Sequence, residues 1–134
     1  MPDTKDTEHL KLLEIFHYIV GGVAFLFACL PLIHLALGIA IIVAPESMGS
    51  NSQPAPAFVG YLFAGMAIVF ILIGWTSAIC TIASGRMIAR RKRRMFSIVM
   101  GGILCVFFPF GTALGVFTII ILSRESVKSL YGEP

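Results

Sequence analysis

Residues 15–44 read IFHYIVGGVAFLFACLPLIHLALGIAIIVA, a run without a single Asp, Glu, Lys or Arg. A helix needs about 20 predominantly apolar residues to cross a bilayer, and this stretch exceeds that length. Two more uncharged blocks follow at 57–85 and 96–122. Between Ile15 and Leu122 charge is confined to Glu46 and to the basic run from Arg86 to Arg94. So much uninterrupted apolar surface in so short a chain calls for lipid as its solvent.

Composition agrees with that reading. Of the 134 residues 57% are hydrophobic and 13% charged, against about 25% charged in a soluble domain. Mean hydropathy is +0.93. After three spans only short ends and loops remain. We therefore expect an all-α membrane protein, one integral helical domain over residues 1–134 with three long transmembrane helices, kinked where proline falls. The alternative is four segments with a re-entrant hairpin.

Two prolines decide between these. Splitting the first block at Leu30-Pro31 leaves halves of about 15 residues, near 22 Å each at 1.5 Å per residue, too short for a ~30 Å core. A kinked single span is preferred there. The same length argument at Pro109 and Gly111 favours one continuous third span, which sends the tail SRESVKSLYGEP to the side opposite the basic loop. A hairpin would return it. The amphipathic stretch TEHLKLLEIFHY (Thr7–Tyr18) leads into the first span, with Thr7 as the expected helix N-cap. The N-terminus carries Asp3, Asp6 and Glu8 and lacks the basic start and small-residue cleavage site of a signal peptide. The first span is expected to act as a retained signal-anchor.

Six of the ten basic residues, Arg86, Arg90, Arg91, Lys92, Arg93 and Arg94, sit in the loop between the second and third blocks. Basic loops between spans stay in the cytoplasm, which places the N-terminus there and the nearly uncharged Pro45–Pro56 loop outside. Such a cluster attracts anionic lipid headgroups at about 1 kcal/mol per basic side chain. The expected partner is thus the bilayer surface and not nucleic acid.

Small residues recur at four-residue spacing: Ala24/Ala28, Ala36/Ala40, Gly60/Ala64, Gly74/Ala78 and Gly111/Gly115. Helices in lipid are held together by close backbone approach and van der Waals contact, and these positions offer the flat faces for it. Trp75, Thr76, Ser77, Thr81 and Ser84 form a polar patch that reads as hydrogen-bonding glue between helices.

His17 and His34 are the side chains inside the blocks that could titrate near neutral pH. They lie 17 positions apart, about 25 Å along one helix, too far to share an ion within one subunit. His17 is expected to be wetted near the interface. His34 is expected to be a neutral imidazole bonded to a neighbouring helix or to a carbonyl freed by Pro31. Cys29, Cys80 and Cys105 have no zinc-site spacing, and free thiols are expected. No span carries an acidic or basic residue at depth, and no P-loop, G-x-S-x-G or H-E-x-x-H is present. We expect no enzyme activity, no cofactor and no metal.

The closing segment CVFFPFGTALGVFTIIILSRESVKSLYG (Cys105–Gly132) resembles that of small bacterial membrane proteins of unknown function, whose pattern is Pro-x-Gly-Thr-x-Leu-Gly, an apolar run, then a polar turn ending in an aromatic. The match falls on Pro109, Gly111, Thr112, Leu114, Gly115, Val127 and Tyr131. The opening IFHYIVGG with PLIHLALG is similar to the first segment of that group. The resemblance implies a multi-pass protein of the bacterial inner membrane and brings no activity with it. The expected role is helix packing, as an oligomer or as an accessory subunit of a membrane complex. The alternative is a small channel or transporter with a path at the Pro31/His34 and Pro109/Gly111/Thr112 breaks.

Overall fold

The structure, a computed structural model, describes residues 4–49, 53–106 and 109–132. The middle of the polar loop, 50–52, and the pair 107–108 lie outside the described residues. The described chain is all helical: α1 (Thr4–Phe27), α2 (Pro31–Val43), α3 (Pro45–Met48), α4 (Ala57–Ala89), α5 (Arg94–Leu104), α6 (Phe110–Leu122) and α7 (Glu125–Leu130). Two stretches are long and apolar enough to cross a membrane, Thr4–Val43 taken through its internal turn and Ala57–Ala89. The chain divides into two compact units, one of Met1–Val23 with Ser77–Pro134, the other of Ala24–Thr76.

In the second unit the first apolar block is kinked, as expected, and does not reverse. Pro31 has no N–H to give the Phe27 carbonyl, and the Leu30 amide takes it at 3.1 Å. The proline then occupies the first turn of α2, where a missing donor costs little. Ala28, before the kink, meets Gly74; Gly38, after it, meets Gly60 and Ala64. The partner thus moves back along α4 as the chain moves forward, so both sides of the kink run antiparallel to one helix.

The first unit departs from expectation. The single helix expected over 96–122 is replaced by α5 and α6, which fold back on each other. Gly101 lies against the Gly115 carbonyl and Thr118. The Thr112 hydroxyl donates to the Cys105 carbonyl at 2.7 Å, and the Arg94 Nη1 donates to the Leu122 carbonyl at 2.8 Å. Helices of 11 and 13 residues are only about 16 and 20 Å long. Length did not force a continuous span, because glycine contacts and polar caps at both ends of the pair stabilise a short hairpin.

That hairpin also corrects the position of the tail. Val127 of α7 is fully buried in a cluster with Leu10, Leu13, Ile88 and Leu122, and Arg124 pairs with buried Asp6 at 3.5 Å. The tail therefore shares one end of this unit with the start of α1 and with the turn after α4. Thr7 is not an N-cap: it lies inside α1, and its hydroxyl donates to the Thr4 carbonyl at 2.7 Å.

Candidate functional site

The packing seams come from glycine. In the first unit a Cβ on Gly21 would stand 2.6 Å from Ile82, and one on Gly85 would stand 3.0 Å from the Cβ of His17. Between helices the tightest approach is in the hairpin, where a Cβ on Gly115 would stand 2.2 Å from the Gly101 carbonyl oxygen. In the second unit a Cβ on Gly38 would stand 2.7 Å from the Ala64 amide nitrogen. Most of the small residues singled out from sequence lie in these seams. Ala28, Gly60, Ala78, Gly111 and Gly115 are buried; Ala24, Ala40, Ala64 and Gly74 are half-buried. Ala36 is the exception, since it is exposed; Gly38, two positions on, carries the contact with α4. Gly21 and Gly38 escaped the four-residue pairing rule because each meets a partner on another helix and needs no small neighbour on its own; Gly85 and Gly101 were not among the pairs singled out either.

Charge collects at the turn between α4 and α5. Its backbone closes with Arg91 in the left-handed region, φ 49°. The Lys92 amide donates to the Met87 carbonyl at 2.9 Å and the Arg91 amide to Ile88 at 3.0 Å. This is the glycine-type helix stop made with arginine, and Arg93 follows with φ 51°. Arg86, Arg90, Arg91, Lys92 and Arg93 are exposed, as a headgroup-facing cluster requires. Arg94 is not part of that surface. It is buried, and its guanidinium sits on the last carbonyl of α6, that of Leu122, where a helix end favours positive charge. Beside it Lys128 is hydrogen-bonded to Glu125 at 2.5 Å. That bond and the Lys128 charge hold the Glu125 carboxyl below its usual range, with a smaller contribution from Arg94.

The histidines behave differently from expectation. His17 is fully buried, not wetted, and its Nδ1 lies 2.9 Å from the Leu13 carbonyl. A carbonyl only accepts, so Nδ1 carries the proton and the ring is held as one tautomer. The first unit also buries Thr81, Ser84, Ser97 and Thr118. Thr81 and Thr118 donate back to the Ser77 and Leu114 carbonyls, at 2.8 and 2.7 Å. His34 is exposed and makes a ring stack with Phe63, centroids 6.1 Å apart, in place of the expected hydrogen bond. Trp75 stacks on Phe25 at 5.6 Å.

The breaks proposed to form a path fall in separate units: Pro31 and His34 in the second, Pro109, Gly111 and Thr112 in the first. The three cysteines are free thiols. Among the described residues no group of three or more His, Cys, Asp or Glu is placed to hold a metal ion. Comparison of the chain with protein-family models, with curated proteins and with solved structures finds no match.

Proposed function

We propose that this chain is a multi-pass protein of the bacterial inner membrane that works without catalysis, by helix packing, as an oligomer or as an accessory subunit of a membrane complex. The observation that carries the reading is the placement of its large apolar side chains. Val43 is 76% exposed, Phe58 73% and Leu26 70%, in helices whose seams are glycine and alanine. Water would oppose such a surface by roughly 25 cal/mol per Å², whereas hydrocarbon accepts it. The resemblance of the closing segment to small bacterial membrane proteins points the same way.

The two long stretches are the spans in this reading, and α5 with α6 is a re-entrant hairpin. The exposed basic turn sets its own end of the first unit toward the cytoplasm and its anionic headgroups. The N-terminus and the tail go with it, and the Pro45–Pro56 loop lies outside. A conducting path has less support, because Thr112 has its hydroxyl committed to Cys105 and Gly111 is buried in the hairpin.

Self-association is read from the glycines that intramolecular contacts leave over. Gly22, Gly65 and, in the short hairpin, Gly102 are exposed and a Cβ on any of them would meet nothing within 4 Å; Gly22 and Gly65 are the two on the long helices. Backbones of a second helix approach closely at such positions. Gly65→Leu is expected to lower oligomer size, measured by single-molecule photobleaching in bilayers, with melting of the subunit unchanged. Unchanged oligomer size for Gly65→Leu and Gly22→Leu together would contradict self-association through these faces.

A further inference from the structure

An open groove of about 310 Å³ runs between α1 and α6 in the first unit. Its α1 wall is a stripe from His9 through Leu13 and Phe16 to Val20, and its α6 wall runs from Ile121 through Phe117 to Phe110. The helices are antiparallel, and the Asp6–Arg124 pair fixes the register at one end. His9 and Ile121 lie toward that end of the lining, and Val20 and Phe110 toward the other.

From His9 to Val20 the groove is about 16 Å long at 1.5 Å per residue. That is one leaflet of a bilayer whose core is about 30 Å thick. It stops where α6 begins, at the hairpin tip. Its volume of about 310 Å³ is at the small end of the range of about 300–1,000 Å³ for ligand pockets, and apart from His9 its lining is wholly aliphatic or aromatic, which suits a single hydrocarbon chain.

The ends differ in chemistry. Beyond Val20 and Phe110 there is only apolar or small side chain for the next turn of α1. At the other end exposed Lys5 lies on the same helical stripe as His9, four residues before it, and Arg124 follows Ile121 by three. Asp6 and Glu8 share this end, so its charges balance and suit a polar headgroup of either net charge.

We infer that this groove is a binding site for one acyl chain of a phospholipid in the leaflet that faces the basic turn, its headgroup beside Lys5, His9 and Arg124. The inference rests on the membrane reading above and adds a defined lipid site to it. The occupant completes the α1–α6 interface that the side chains alone leave open.

Native mass spectrometry of the full chain in mild detergent tests it. About one phospholipid per chain is expected to be retained. Ala113→Trp, which fills the groove from an exposed position, is expected to lower retention about tenfold, while Ile73→Trp, equally bulky in the second unit, leaves it unchanged. Quenching of Trp75 by brominated lipid in vesicles reports the membrane reading separately. Quenched Trp75 with no retained lipid, or with equal retention in Ala113→Trp, overturns the site and leaves the membrane reading standing. Loss of a dimer in Ala113→Trp, with no lipid involved, also overturns it. Unquenched Trp75 overturns both.

Discussion

Gly115→Leu opens the α5–α6 hairpin and removes on the order of 4 kcal/mol or more of stability, the range of a severe core clash. The first added carbon would already stand 2.2 Å from the Gly101 carbonyl oxygen and 2.9 Å from the Cys105 amide nitrogen. Both are backbone atoms of the opposing helix, so no rotamer change relieves the overlap and the two helices must separate. Separation also pulls Thr112 from the Cys105 carbonyl and Arg94 from the Leu122 carbonyl, both of which hold the hairpin closed. The measurement is thermal melting in detergent, together with the distance between spin labels at exposed Met95 and Ser123. The melting point is expected to fall and the distance to grow. Gly102→Ala is the control: nothing lies within 4 Å of its Cβ, and alanine favours a helix by about 1 kcal/mol over glycine. Its stability should hold or rise. A Gly115→Leu protein that melts like wild type would mean the hairpin is not packed through glycine.

Gly38→Leu acts on the second unit in the same way, with a cost of about 3 kcal/mol expected for overpacking a tight seam. Its Cβ would stand 2.7 Å from the Ala64 nitrogen, 2.9 Å from the Gly60 oxygen and 3.1 Å from the Ala64 Cα. Leucine there forces α2 away from α4. Ala36→Leu adds similar bulk two residues earlier, on an exposed face, and is expected to change little. Denaturation midpoints in sodium dodecyl sulfate separate the two. Equal midpoints for both variants would show that α2 does not meet α4 through Gly38.

The uncharged runs made the long helices legible, because a bilayer sets a length that sequence reveals directly. The kink at Pro31 was legible for a similar reason, since a missing N–H has a local consequence. The hairpin was not. It depends on Gly101 meeting Gly115, on Thr112 reaching Cys105 and on Arg94 capping α6, contacts between residues that no local period connects. The length argument assumed that each half of 96–122 had to cross the membrane alone, and the structure satisfies the helix ends instead. Gly115 lies against Gly101, but spacing along one helix does not tell which helix a glycine meets. Arg94 was grouped with its neighbours by charge. Its burial follows from its place at the start of α5, on the same face as Ser97 and Gly101. His17 carries no sequence mark that distinguishes a buried imidazole from a wetted one; Gly85, which makes room for it, lies on another helix.

The central claim is a lipid-embedded chain whose two ends return to the side of the basic turn. The most direct test fuses a reporter active only in the cytoplasm, or only outside it, to residue 134 of the full chain, with matching fusions at the N-terminus and within the Pro45–Pro56 loop. The account predicts a membrane-bound protein with cytoplasmic signal from both ends and external signal from the loop. External signal from the C-terminal fusion would contradict it, since residues 94–122 would then cross the bilayer in place of turning back.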